Sequence, residues 1–191
     1  MGESKLPPPI LNQRNQLTSI DLPAGLHHPP IVKSLVWQDE LQTQQFAAAL
    51  AQQAALRQCY VELHGELGAG KTTLVRHLLQ AMGVAGRIKS PTYTIVEAYE
   101  LPPAPGELQP LPIWHFDFYR FNDPQEWEDA GFREIFSGPG LKLAEWPDKA
   151  AGFVPRADLV VRIEALSDGA RQVQLVGQSA NGAALVASVR A

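Results

Sequence analysis

The sequence predicts an α/β fold, on three observations. Short β-rich apolar runs alternate with segments of helical period. A glycine-rich turn over residues 65–70 joins one such run directly to an amphipathic helix. The chain then closes on two β-rich runs around Ser167-Asp168-Gly169, the pattern of a hairpin.

The elements follow in order. Residues 1–33 read as a flexible, proline-rich N-terminal extension, because Pro7, Pro8, Pro9, Pro23, Pro29 and Pro30 break any helix and the apolar residues have no period. His27 and His28 lie in it and read as a solvated pair. Residues 34–191 form one domain. Residues 34–38 are a first strand, and Asp39 caps a helix with Leu41, Phe46, Ala49, Leu50, Ala54 and Leu56 on one face. Residues 59–64 are a strand. After the glycines comes a helix with Leu74, Val75, Leu78, Leu79 and Met82 apolar, stopped by Gly83. Residues 92–99 alternate as a strand. The stretch LPPAPGELQPLP that follows is neither helix nor central strand, and residues 113–118 resume a strand. Asp123-Pro124 starts a short helix towards Phe136. Residues 141–146 form another strand, and residues 158–166 and 171–178 form the hairpin.

Composition narrows the function. The chain has 191 residues and a net charge of −4, too acidic to grip a nucleic-acid backbone unaided, so DNA is not expected as a partner. A single cysteine, Cys59, excludes an internal disulfide, and no Cys/His cluster has zinc spacing. No apolar run reaches the roughly 18 residues needed to span a bilayer. The N-terminus lacks the plan of a signal peptide. The expected location is cytoplasmic, away from any membrane.

Gly65-Glu66-Leu67-Gly68-Ala69-Gly70-Lys71-Thr72 fits G-x-x-x-x-G-K-[ST] at every fixed position. Glycines let the backbone curl so that several N–H groups point at one anion. Ala69 adds its N–H to the same curl, and the following helix adds its positive end. Lys71 brings a full charge to the β and γ phosphates, and Thr72 offers a hydroxyl to Mg²⁺. Thr73 reaches a phosphate or is an ordinary helix residue. Chance alone would match such a pattern in roughly one chain in a hundred of this length, and the strand before and helix after it make chance a poorer account still.

A phosphate loop also needs an acid near the metal and a group that orients the attacking water. Asp117 closes the run Ile113 to Phe116, and Glu145 closes Leu141 to Ala144. Ligands of open α/β sheets gather at the C-terminal strand ends, so both carboxylates are candidates for either task. Ser90-Pro91-Thr92 offers hydroxyls as a switch segment does, or forms a plain turn. His115 shares the side of Asp117 and is either a proton carrier or a packed histidine. The absence of Asn-Lys-x-Asp favours adenine over guanine.

Four motifs occur in order: GELGAGKTT (Gly65–Thr73), SPTYTIV (Ser90–Val96), HFDFYRF (His115–Phe121) and EWP (Glu145–Pro147). Together they resemble the TsaE family, also called YjeE, bacterial ATPases of tRNA threonylcarbamoyladenosine biosynthesis. The resemblance spans about residues 34–185 and leaves out the N-terminal extension and the loop at 101–112. It implies a P-loop NTPase-like three-layer sandwich with a mixed parallel and antiparallel sheet. It implies that Thr72 and Glu145 hold Mg²⁺, that Asp117 serves hydrolysis and that Trp146 lies beside the nucleotide. Glu40 and Thr43 match the segment that approaches the base. Arg171 sits near a family arginine, although Gly-Ala-Arg departs from the family's Gly-Arg. ATP is the implied nucleotide. The implied partners are TsaD and TsaB, with tRNA met indirectly through their complex.

The expected function is therefore an Mg²⁺-dependent ATPase accessory to tRNA modification, slow on its own because no arginine finger is evident; Arg120 and Arg133 are unplaced. Two other readings of the same loop are a small-molecule phosphotransferase, for which no arginine-rich lid is visible, and a non-catalytic nucleotide-dependent switch.

Overall fold

The structure, a computed structural model, describes residues 29–103, 108–122 and 124–189. The expected extension up to residue 28, with His27 and His28, lies outside the described residues, as does the expected cap Asp123.

Seven strands form one sheet: β1 (Ile31–Trp37), β2 (Tyr60–His64), β3 (Val96–Leu101), β4 (Leu111–Asp117), β5 (Leu141–Glu145), β6 (Leu159–Ala165) and β7 (Arg171–Gly177). Their spatial order is β1-β7-β6-β2-β5-β4-β3. The centre, β6-β2-β5-β4, is parallel, while β1, β7 and β3 pair antiparallel at the flanks. The sheet is thus mixed. Side chains alternate between two faces. Val61, Leu63, Ile113, Leu141 and Leu143 pack against α1 (Glu40–Ala51), α2 (Lys71–Met82) and α5 (Ala180–Ser188). On the opposite face Tyr60, Phe116 and Ala144 meet Phe118, Phe121, and Trp127 and Phe132 from α3 (Pro124–Asp129) and α4 (Phe132–Ser137). The result is a three-layer α/β sandwich.

The aromatic layer is dense. Phe116 stacks on Phe118 at 5.4 Å and on Phe136 at 5.0 Å, and Trp127 stacks on Phe136 at 5.4 Å. Truncating a fully buried ring such as Phe116 to alanine should cost about 3–5 kcal/mol. Cys59 is fully buried, its thiol donating to the Ala55 carbonyl at 3.0 Å, and burial pushes its pKa up to about 12.

Several boundaries differ from expectation. β1 starts at Ile31 rather than Ser34, paired with β7 from its first residue. Asp39 does cap α1, its Oδ1 accepting from Gln42 N at 2.9 Å, but the buried stripe is Thr43, Phe46, Ala47 and Leu50 while Leu41 and Ala49 face solvent. The helix ends at Ala51, and Ala54 and Leu56 lie in a separate 3₁₀ turn. β3 begins only at Val96, because Thr94 N and Ile95 N bond back to Pro91 O and close a turn. Leu111 and Pro112 belong to β4, a central strand. Pro112 is tolerated because pairing with β5 starts only at Ile113, so its missing N–H breaks no bond there. The expected helix towards Phe136 is two helices, broken at Gly131. α5 was not expected, since its alanine-rich sequence carries no clear period. Ser179 caps it by accepting from Gly182 N at 3.2 Å.

Candidate active site

The strand register assembles the site. Leu63 on β2 pairs with Glu145 on β5, and Glu145 pairs with Asp117 on β4. The phosphate loop leaves β2 within two residues of that level. Loop, Glu145 and Asp117 therefore meet at the same C-terminal edge of the parallel strands, where such sheets bind ligands.

Backbone constraints shape the loop. A Cβ on Gly65 would lie 2.3 Å from the Ile163 carbonyl oxygen, so no other residue fits without moving β6. Gly70 enters α2 at φ 111°, which a side chain would strain. Lys71 is buried, its Nζ donating to Gly65 O at 2.6 Å and Glu66 O at 2.9 Å. An ammonium has three donors, and two are thereby turned to the loop. Nζ also lies 4.1 Å from the centre of the Trp146 ring. Burial pushes the Lys71 pKa below its ordinary value, and Glu145, Asp117 and Glu66 pull it back up.

Thr72 Oγ1 donates to Glu145, at 2.8 Å from Oε1 and 3.0 Å from Oε2. Glu145 Oε1 also lies 2.9 Å from His115 Nε2. Asp117 is buried. Its Oδ2 accepts from Thr92 Oγ1 at 2.6 Å and its Oδ1 from Tyr119 N at 3.1 Å. Ser90 Oγ lies 2.9 Å from Thr92 Oγ1. Lys71, Thr72, Ser90, Thr92, Asp117 and Glu145 line a cleft of about 420 Å³ with Gly68, Gly70, Thr73, Tyr119, Arg120 and Trp146, while His115 lies buried behind Glu145. Trp146 takes a left-handed turn, φ 56°, directly after β5, which lays its indole under Lys71. Ile95, at φ 63°, is the other non-glycine left-handed residue among those described, and its carbonyl accepts from Asp117 N at 2.9 Å. Such strain costs about 1–3 kcal/mol per residue. Here Trp146 lines the cleft and Ile95 is bonded to Asp117, which does.

A smaller pocket of about 130 Å³ adjoins the loop on its other side, lined by Trp37, Asp39, Glu40, Thr43, Gly68, Ala69, Gly70, Thr73, Gly169 and Arg171. Arg171 Nε donates to Ala69 O at 2.9 Å, and its guanidinium also donates to the Gly169 carbonyl. Glu40 Oε1 sits 3.0 Å from His77 Nε2. The expected residues thus fall in two groups. Lys71, Thr72, Asp117, Glu145 and Trp146 surround the cleft. Glu40, Thr43, Ala69 and Arg171 surround the pocket, and Gly68, Gly70 and Thr73 touch both. Gly65 lines neither and sits at the base of the loop, where its carbonyl holds Lys71. Arg120 lies in the cleft, 4.4 Å from the Tyr93 ring. Arg133 is outside, paired with Glu128 at 2.7 Å. Unforeseen were Trp37, Asp39 and Gly169 in the pocket and Tyr119 in the cleft. Their only signal was position, since each flanks an element end.

Among the described residues no group of three or more His, Cys, Asp and Glu side chains forms a self-contained metal cage. The oxygen set of Thr72, Glu145 and Asp117 does fit Mg²⁺, which is held by one or two carboxylates and completed by water and substrate phosphates.

Fold and loop together define a P-loop NTPase-like protein. A solved structure, the crystal structure of Bacillus subtilis YdiB, shares the fold with TM-score 0.64 and 23% identity, covering 84% of this chain and 95% of that one. Residues 37–173 match the model of the family described as Threonylcarbamoyl adenosine biosynthesis protein TsaE. The chain belongs to the TsaE family. Relatives named tRNA threonylcarbamoyladenosine biosynthesis protein TsaE include that of Haemophilus influenzae, 41% identical over 75% of this chain and 85% of its own length. That of Bacillus subtilis is 36% identical over 58% of this chain and 65% of its own length.

Proposed function

We propose that the chain is an Mg²⁺-dependent ATPase required for threonylcarbamoyladenosine modification of tRNA, acting in the cytoplasm with TsaB and TsaD. The observation that carries the ATPase reading is the Thr72–Glu145 hydrogen bond, 2.8 Å long, at the mouth of a complete phosphate loop. It brings two hard oxygen donors together where a triphosphate would end. The link to tRNA modification rests on family membership and on the names of the relatives.

The residues divide the work as follows. Loop N–H groups and the start of α2 receive the phosphates. Lys71, with two donors committed to the loop, directs its remaining one at the β and γ phosphates. Thr72 and Glu145 would hold Mg²⁺. Bound Mg²⁺ would supply neutralisation of the phosphate charge that develops in transfer. Asp117, fixed by Thr92 and by Tyr119 N, orients the attacking water. Glu40, Thr43 and Arg171 border the base, and Trp146 keeps Lys71 dry. Turnover by the isolated chain is slow, because Arg120 rests against Tyr93 and Arg133 points elsewhere.

Phosphate release should be measured with the chain alone and with TsaB and TsaD present. The expected result is slow release alone and faster release with the pair. A folded protein that binds ATP yet releases no phosphate in either case would leave only a nucleotide switch.

A further inference from the structure

The mechanism above gives His115 no task, yet its surroundings are specific. The side chain is fully buried on β4, on the same face as Ile113 and Leu143, both fully buried and apolar. Its Nε2 makes one contact, with Glu145 Oε1 at 2.9 Å. Its Nδ1 is buried and has no hydrogen-bond partner. A carboxylate accepts, so the ring hydrogen belongs on Nε2. Nδ1 is then a bare lone pair, which costs less in an apolar layer than an unpaired N–H. An imidazole buried with one nitrogen unused is a poor space-filler, since leucine would fill similar space with no polar cost. The single bond to Glu145 is what distinguishes histidine here.

Glu145 needs such a bond. The partners seen on its carboxylate are the Thr72 hydroxyl, from the first turn of α2, and His115, from the neighbouring strand. Thr72 is itself assigned to the cation, so its hydroxyl is shared. His115 comes from a central strand paired on both sides and has no other bond to make. We propose that His115 is a positioning residue whose Nε2–H holds the Glu145 carboxylate turned to the cleft as an Mg²⁺ ligand. The inference rests on the metal reading given above. Partners of this kind, one bond removed from a metal, orient its ligands, and losing one typically weakens metal affinity about 10–100-fold.

Three variants separate the bond from the packing. His115→Gln places an amide N–H at the reach of Nε2. His115→Asn places one only at the reach of Nδ1. His115→Leu fills space with no donor. Affinity for a non-hydrolysable ATP analogue is measured in EDTA and across an MgCl₂ titration. The expected result is unchanged affinity in EDTA for all variants. The Mg²⁺ concentration for half-maximal tightening should rise about tenfold or more in the leucine and asparagine variants and stay within about threefold in the glutamine variant. If the leucine variant does not fold, the glutamine–asparagine contrast decides alone. An unchanged Mg²⁺ requirement in the leucine and asparagine variants overturns the proposal. So does a parallel loss of affinity in EDTA, or a glutamine variant as impaired as the asparagine one. Wild-type protein whose analogue binding ignores Mg²⁺ would remove the metal reading itself, and the role of His115 with it.

Discussion

The two sides of the phosphate loop are built differently. On the cleft side Lys71, Asp117, Glu145 and His115 are all buried, and each is held by at least one bond of 3.1 Å or less. They stand on strand ends and on the first turn of α2. On the pocket side Glu40 is largely exposed, with 73% of its side chain accessible, and Arg171 is half-buried. These residues come from the start of α1 and the start of β7, one strand in from the sheet edge. Chemistry on a triphosphate needs groups fixed to fractions of an ångström, which strand ends supply. Contact with a base tolerates a looser surface.

This contrast orders the expected effects. Lys71→Ala should weaken ATP affinity about a hundredfold, near 3 kcal/mol, because it removes a charged donor from a buried site. The shift in melting temperature on adding ATP reads this, and an unchanged shift would detach the loop from nucleotide binding. Glu145→Gln should raise the Mg²⁺ requirement about tenfold or more while leaving affinity in EDTA alone.

The lowered pKa of Lys71 sets a third expectation, whose sign runs two ways. The phosphates need Lys71 charged, so ATP affinity should fall about tenfold per pH unit above its folded pKa, which lies below 10.5. Stability of the free protein moves oppositely in that window. The folded chain sheds the proton first, so the contribution of this group to stability grows as pH rises from the lowered value to the unfolded one. Lys71→Arg should show neither effect. The smallest change should come from the pocket. Glu40→Ala or Arg171→Ala should alter affinity only about threefold, since exposed charges are screened, with preference for ATP over GTP as the finer readout. A hundredfold loss from either would place the tight grip on the wrong side of the loop.

The same contrast explains what could be read from the chain beforehand. Gly65 to Thr72 is legible because backbone geometry demands those types at those spacings. Asp117 and Glu145 are legible because each ends an apolar strand. Yet only the register, Asp117 beside Glu145 beside Leu63, shows that they share one level, and register has no local signal. His115 is legible only as a proton carrier or a packed histidine on the side of Asp117, because its bond to Glu145 reaches across to the neighbouring strand. The pocket residues Trp37, Asp39 and Gly169 come together only because β1 and β7 pair antiparallel at the edge. Leu41 and Ala49 misled for a related reason. They extend the apolar face of α1, but α2 and the sheet cover only the stripe from Thr43 to Leu50. α5 went unseen because alanine carries little amphipathic contrast.

The central claim is that the strand-end acids turn a binding loop into a hydrolytic site. Single-turnover hydrolysis of Mg²⁺-ATP with enzyme in excess, by wild type and by Asp117→Asn, tests it most directly, with ATP affinity measured on the same samples. The account predicts affinity within about threefold and a rate lower by about a hundredfold or more, the scale of a lost acid–base group. Equal rates at equal affinity would contradict it and leave Asp117 a merely structural partner of Thr92.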